Sequence, residues 1–533
     1  MTRGEAGAAA VGARAYHDAT KHSWQSVRSG EHFLDWEVKP FPFKIYPDAV
    51  ALPLPRELAA PEMPALDALA RGRAHPGRRR LDLGDLAQLL FFAAGLTKKK
   101  AYPGGEAAHF RAAASTGALY EVEAYVVAGP VDGLEAGVYH FSPGDFTLRR
   151  LRAGDHRALL ADAAGEPSAV AVAPATIVLS AIYWRNTWKY GARAFRHFFW
   201  DSGTLLANLL ATAVAVDVPA RVLLGFADAA VNQLLGLDVE REGSLALVPL
   251  GDGASPPPPA PALPPLGLPT IPLSSREVDY PLVRQAYAGS SLPRGVAAAA
   301  WVAAGRGEAA TGASGEAISH PLAPLGTPPA APLGHVILRR GSTRQFAREP
   351  IAFGELSTIL DVAARELPLD VRDPGRPLVE CYCLVHAVEG LPAGAYVFDA
   401  GRRGLRQLRA GEFRSEGEYL CLEQALAGDA SAVVFFLADL GPTLARYGDR
   451  GYRAVNLAAG LLGGRLYLAA YALGLGASGL TFYDDDVVRF FSPDAEGKDA
   501  IFVTALGRAR RAARRGGLAP LEGEIQPLGP GER

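Results

Sequence analysis

Apolar and polar positions fall into two series of the same shape, one from about Leu52 to Leu250 and one from about Val336 to Ala513. In the first, Leu83 to Leu96 places apolar residues at helical spacing, whereas Glu121 to Ala128 alternates as a strand does. Gly137 to Phe141 gives a further strand. Ala169 to Trp184 is a continuous apolar run, read as a buried strand. Arg193 to Val216 predicts a long buried helix, Val222 to Gly225 a strand and Ala227 to Leu235 a short helix. The second series follows the same order: helix at Phe353 to Ala364, strands at Glu380 to His386, Gly394 to Phe398 and Ala432 to Leu440, a long helix at Gly451 to Leu473, and a last strand at Ala500 to Leu506.

The parallel extends to identities. Gly-Val-Tyr at Gly137 to Tyr139 returns as Gly-Ala-Tyr at Gly394 to Tyr396, and Lys-Tyr-Gly at Lys189 to Gly191 returns as Arg-Tyr-Gly at Arg446 to Gly448. Both pairs are 257 residues apart, the mark of a tandem duplication. Around the repeats lie less regular stretches. Residues 1–51 mix aromatics with prolines and read as an irregular arm draped over a core. Gly251 to Pro272 is a stiff proline-rich linker, and the rest of 251–335 looks loosely ordered, with helices expected near Tyr280 to Tyr287 and Val296 to Ala304. Residues 514–533 read as a flexible tail.

Composition narrows the class. At 533 residues the chain needs more than one core, and 49% hydrophobic with 21% charged residues describes a globular protein. A net charge of −2 gives no electrostatic case for nucleic acid or an anionic membrane. No signal peptide is read at the start and no stretch reads as a membrane span, so a cytoplasmic location is expected. Cys381, Cys383 and Cys421 are read as buried free thiols; the first two share one face of a strand. His17 and His22 have no carboxylate cluster between them and are read as a packed arm motif, so no metal is expected.

Chemistry is concentrated in a few places. Leu338-Arg-Arg-Gly-Ser-Thr-Arg-Gln-Phe346 sets Arg340 and Arg344 about Ser342; two planar guanidinium groups and a hydroxyl suit a phosphomonoester. The run from Leu473 to Thr481 includes Ser478 and Gly479 and could offer backbone N–H groups to a ligand. Gly507 and Arg508 follow the last strand and could add a phosphate contact. Lys189 and Tyr190 are the catalytic candidates, because an amine or phenol can take or steer a proton. Arg446 in the second copy stays protonated and is a poor base. Arg193 and Arg196 follow at helical spacing, where either could serve as an ion-pair partner. No Rossmann Gly-x-Gly-x-x-Gly fingerprint is read, so resident NAD is not expected.

Taken in order, Arg340-x-Ser342-x-Arg344, the Gly-x-Tyr strands and Lys189-Tyr-Gly-x-Arg193 resemble the nitroreductase superfamily. Together with Tyr16-His-x-x-Thr-Lys-His22, Ala114-Ser-Thr-Gly-Ala-Leu-Tyr120 and Gly133-Leu-x-x-Gly-Val-Tyr139, they look more narrowly like SagB-type (ThcOx) dehydrogenases, known for FMN-dependent oxidation of azolines to azoles in peptides. The resemblance implies two fused α+β domains, each an antiparallel-rich mixed sheet flanked by helices, forming an intramolecular pseudo-dimer. It implies FMN held by Arg340, Ser342 and Arg344 from one copy, with Ser115, Thr116 and Gly117 from the other meeting the flavin ring. It also implies a proton-handling role for Lys189 and Tyr190.

The reciprocal pair looks broken. Gly77-Arg-Arg-Arg-Leu-Asp82 lacks the serine, Asp370 to Pro377 stands where Ser-Thr-Gly should be, and Val216-Asp-Val-Pro-Ala lacks the glycines. One complete and one vestigial site are therefore expected. The substrate would be a small molecule or a peptide, with a cyclodehydratase-type biosynthetic partner. The alternatives are an NAD(P)H-dependent nitro or quinone reductase, and a flavin-depleted scaffold that binds a partner.

Overall fold

The computed structural model describes residues 10–30, 32–75, 80–101, 107–306, 317–371 and 376–523. Its centre is a pair of long helices, Ala194–Ala215 and Arg450–Ala472, almost every residue of which is buried. They can lie against each other because both present glycine at the crossing. A Cβ on Gly460 would stand 2.3 Å from the Trp200 carbonyl oxygen, and one on Gly203 would stand 2.4 Å from the Leu461 nitrogen. Backbone-to-backbone contact of this kind admits no side chain. Trp200 then crosses the seam, donating from Nε1 to Asn456 Oδ1 at 2.8 Å and lying 5.4 Å from the Phe502 ring.

Each long helix lies in the same core as a sheet of its own repeat. The first sheet has six strands in the order Val50–Pro53, Thr147–Ala153, Gly137–Ser142, Val122–Ala128, Ala175–Ile182 and Glu242–Leu250. The second has seven: Gly476–Gly479, Asp499–Gly507, Ala432–Ala438, Glu380–Val385, Gly394–Asp399, Gly404–Ala410 and His320–Pro321. Neighbours in both run antiparallel. The duplication reaches the register: Tyr125 faces Val178 and His140, and Tyr382, 257 residues on, faces Phe435 and Val397. The architecture is the expected pair of α+β domains, with antiparallel main sheets.

Three local expectations are corrected. The apolar run Ala169 to Trp184 is not one strand. Pro167–Ala171 is a helix opened by proline at its first turn, the strand is Ala175–Ile182, and Tyr183 begins another helix ending at Tyr190. Continuous hydrophobicity cannot tell a buried strand from a buried helix end. Val222 to Gly225 makes isolated bridges and no regular strand. The arm read as irregular holds helices at Ala13–Ala19 and Trp24–Ser29, whereas the helices at Pro281–Gly289 and Gly295–Ala304 lie where they were expected.

The first and third of those helices are the clasps of the pseudo-dimer. Arg196 donates to the His17 carbonyl at 2.6 Å and to Thr20 Oγ1 at 3.0 Å. Arg453, 257 residues further on, donates to the Tyr287 carbonyl at 2.7 Å and to Ser290 Oγ at 2.7 Å. Each arm helix is thus docked by the corresponding arginine of its own repeat. Tyr183–Ala215 is long and apolar enough by composition to cross a membrane, but 94% of its apolar window is buried in the protein. Cys383 and Cys421 are buried and Cys381 partly so, all as free thiols.

Candidate functional site

The Ser115–Gly117 turn sits at the edge of the first domain, against the helix that ends at Tyr190. Gly117 has φ +63°, and a Cβ there would stand 2.9 Å from the Tyr190 hydroxyl and 3.3 Å from Lys189 Cδ. Only glycine allows both the left-handed backbone and that approach. The turn is tied down from below by Asp201 on the long helix. Its carboxylate accepts from Thr116 N, Thr116 Oγ1 and Ser115 Oγ, each at 2.7 Å. A cavity of about 20 Å³, lined in part by Arg111, Ser115, Tyr120 and Asp201, has room for one water.

The second domain brings its arginine segment to this place. Arg340 donates to the Ala112 carbonyl from Nη2 at 2.8 Å and from Nε at 3.2 Å, so it crosses from one domain to the other. Lys98 of the first domain donates back to the Arg340 carbonyl at 2.5 Å. Burial, with Arg340 nearby, pushes Lys98 down to about 8. Ser342 Oγ lies 3.3 Å from Tyr467 Oη, which in turn accepts from the Gly479 N–H at 2.5 Å. The segment can close on the strand Gly476–Gly479 because a Cβ on Gly476 would stand 2.3 Å from Thr343 Oγ1.

The predicted halves therefore meet, with different internal roles. Arg340 is buried and engaged by the Ala112 carbonyl, so it braces the composite site. Arg344 is exposed and near Lys189, and among the described residues neither forms an ion pair. Burial and then Arg344 lower the Lys189 pKa. Burial, with Asp201 and Glu121, raises the Tyr190 phenol well above its usual range, so it stays a proton donor. Unpaired cations facing one another form a seat for an anion.

Gly507 and Arg508 are not brought to the site. Gly507 packs against Ser431, and Arg508 donates to the Pro350 carbonyl at 3.0 Å and lies 3.4 Å from Glu355. Those contacts anchor the end of the last strand to the start of the helix Phe353–Ala363. Ser478 is buried within its strand, and the adjacent Gly479 carries the contact to Tyr467. Gly474, Gly476 and Gly479 do have the Gly-x-Gly-x-x-Gly spacing, contrary to expectation. They follow a helix and open a strand, the reverse of the dinucleotide order, so this run is not that fingerprint.

The reciprocal site is filled by the chain itself. Trp301 of the helix Gly295–Ala304 donates to the Tyr447 carbonyl at 2.8 Å and lies 5.4 Å from the Tyr447 ring. Arg446 Nε donates to the Ala304 carbonyl at 2.8 Å. The counterparts of Lys189 and Tyr190 thus hold a plug. Beside it, Asp370 accepts from the N–H groups of Leu224 and Gly225, both at 2.8 Å. Arg78 and Arg79 of the first copy and Arg372 to Gly375 of the second lie outside the described residues.

A family model described as "Nitroreductase family" matches residues 77–252 and again 337–507, more than half of the chain. The chain is a member of the nitroreductase family. It is 29% identical to a solved structure described as "a putative nitroreductase from anabaena variabilis atcc 29413", with a TM-score of 0.71, over 93% of this chain and 99% of that one. That coverage makes the double-domain architecture common to both. A curated relative, "Putative nitroreductase MJ1384" of Methanocaldococcus jannaschii, is 30% identical over 171 residues, 32% of this chain and 81% of that protein. As a nitroreductase-family protein, the chain is an oxidoreductase of a family that typically uses flavin.

Asp201 and Glu121 are the site residues that sequence reasoning missed. Asp201 was visible only as a polar interruption in an apolar helix, and Glu121 as the first residue of an alternating strand. A buried carboxylate costs free energy unless it is hydrogen-bonded, so an acid within an apolar helix was the available signal.

Proposed function

We propose that the chain is an FMN-dependent dehydrogenase with one working site, acting on a heterocycle derived from a peptide or an amino acid. The observation that carries this reading is the packing of the Gly117 turn against Tyr190 and Lys189, beside the place where Arg340 of the second domain crosses to the Ala112 carbonyl. The residues fit the cofactor: Arg344 and Ser342 would hold its phosphate-bearing chain, Gly479 would line its approach, and the Ser115–Gly117 turn would meet its ring. Bound FMN supplies a two-electron acceptor for hydride. Lys189, whose pKa burial and Arg344 lower, would in its neutral form take the proton from the carbon beside the substrate carbonyl. Tyr190, kept protonated, donates a hydrogen bond to that carbonyl. The arm supports a peptide-sized substrate: exposed Trp36 stands beside Trp188, their rings 5.2 Å apart, and Phe33 three residues earlier is also exposed. A cyclodehydratase-type partner would supply the azoline.

The test is turnover of an azoline-bearing peptide by flavin-loaded chain, followed by oxygen uptake and a two-dalton mass loss. Tyr190→Phe should lower that rate by roughly 10²- to 10⁴-fold with flavin still bound. The names of the relatives favour a second reading, an NAD(P)H-dependent nitro or quinone reductase. Steady NAD(P)H oxidation with a nitroaromatic, and none of the azoline, would replace the first reading with the second.

A further inference from the structure

Behind the Ser115–Gly117 turn stands a buried acidic pair that the second domain lacks. Asp201 gathers the three donors of the turn. Glu121 is fully buried at its side; Ser115 Oγ is also 3.5 Å from Glu121 Oε2, and Glu121 Oε1 has no hydrogen-bond partner among the described residues. Counting 257 residues on, Asp201 becomes Ala458, Glu121 becomes Leu378 and His197 becomes Ala454. The arginines that dock the arms persist as Arg450 and Arg453. The repeat has kept in both copies what joins the domains, and keeps the acidic pair only beside the site whose two halves meet.

Two buried carboxyl groups in contact cannot both carry charge, because desolvation and repulsion add. The hydrogen bonds decide which one holds the proton. Burial raises the Asp201 carboxyl too, but a backbone N–H and two hydroxyls oppose that and favour its ionised form. Glu121 receives one distant hydroxyl; burial together with Asp201 pushes its carboxyl up, outweighing its own backbone and Asn186, which favour the ionised form. Tyr120, Tyr190 and Arg111 of the first domain face the pair; Arg340 of the second domain acts on Tyr120 and Arg344 on Tyr190, one group further out. Arg111 beside Glu121 favours a net charge of −1 on the pair over zero.

We propose that Glu121 and Asp201 share a single proton, carried on Glu121, and that the pair is the positioning device holding the Ser115–Thr116–Gly117 turn against Tyr190. The neutral Glu121 lets Asp201 stay ionised in an apolar setting, and the ionised Asp201 fixes the turn. With Gly117 in contact range of the Tyr190 hydroxyl, the same clamp sets where the phenol stands. The consequence for the cofactor rests on the functional reading above; the shared proton does not.

The first measurement needs no flavin. The infrared difference between wild type and Glu121→Gln at neutral pH should contain the carbonyl stretch of a protonated carboxylic acid, shifted in D₂O. The subtraction removes Asp370, whose carboxyl burial also raises. A difference spectrum without that band overturns the shared proton. The second measurement is FMN affinity by fluorescence quenching. Glu121→Gln, which keeps a neutral hydrogen-bonding group, should bind within about threefold of wild type. Asp201→Asn should bind on the order of tenfold more weakly or worse, the weight of one charge-assisted hydrogen bond. Thr116→Val, which removes a single donor, should weaken binding in the same direction, so that poor folding of Asp201→Asn hides nothing. Wild-type affinity in both Asp201→Asn and Thr116→Val overturns the positioning role. A wild-type chain that binds no FMN ends the functional reading, and the infrared band then decides the pair alone.

Discussion

Arg196 donates to Asp484 at 2.6 Å across the domain seam, and Arg453 donates to Asp228 at 2.7 Å in the opposite direction. Arg193 and Arg450 complete the set at 2.9 and 2.6 Å. Each long helix thus opens with two arginines that grip an aspartate heading a short helix of the other domain. All six groups are buried. Asp484→Asn or Asp228→Asn leaves two buried guanidinium groups short of a counter-charge, which costs about 3–5 kcal/mol. Denaturant unfolding should show that loss for either variant. A change below about 1 kcal/mol would mean that the pairs do not join the domains.

Stability should fall between pH 6.5 and 4. Burial, reinforced by Arg196, pushes His17 down to about 4; burial with Arg193 takes His22 to about 3, and burial with Arg414 takes His386 to about 4. A folded-state value below the unfolded one, about 6.5, means that the unfolded chain binds protons first. Stability is therefore full above about 6.5 and is lost as pH falls, by roughly 1.4 kcal/mol per pH unit for each histidine. Asp484 acts with the same sign at lower pH: burial alone would raise its carboxyl, but Arg193 and Arg196 hold it well below the usual range. Urea midpoints at pH 7.5 and 5 measure the effect. Equal midpoints would contradict it.

Gly460→Ala should destabilise the chain although alanine is the better helix former by about 1 kcal/mol. The added methyl would meet the Trp200 backbone, and neither long helix can move without disturbing a sheet. Overpacking at such a contact costs typically about 1–3 kcal/mol. A raised melting temperature would show that the helices are not in backbone contact.

Trp301→Ala should cost about 3–5 kcal/mol and yield no second flavin. The plug fills the reciprocal site, but its removal restores neither the missing serine of Gly77 to Asp82 nor the Ser-Thr-Gly turn. A rise in flavin per chain in this variant would show that the helix is all that closes the site.

Much of the fold is legible in the sequence because duplication prints everything twice. Gly137 and Gly394, or Tyr190 and Tyr447, mark equivalent positions by their constant offset alone. The first arm is not legible: the helix Ala13–Ala19 has seven residues, too short for periodicity to declare itself, and the docking of this helix and of the expected Pro281–Gly289 depends on Arg196 and Arg453. The plug is hidden for another reason. Gly295–Ala304 is mostly alanine, and nothing local tells that Trp301 faces Tyr447. Arg508 resembles a phosphate ligand because sequence gives a residue's neighbourhood along the chain, whereas its direction is set by Glu355.

The most direct test of the central claim is the amount of flavin bound per chain after loading with excess FMN. One working site predicts one FMN per chain, lost in the Ser342→Ala/Arg344→Ala double variant and unchanged in Arg80→Ala. Two per chain, or a flavin that survives the double variant, would contradict the composite site.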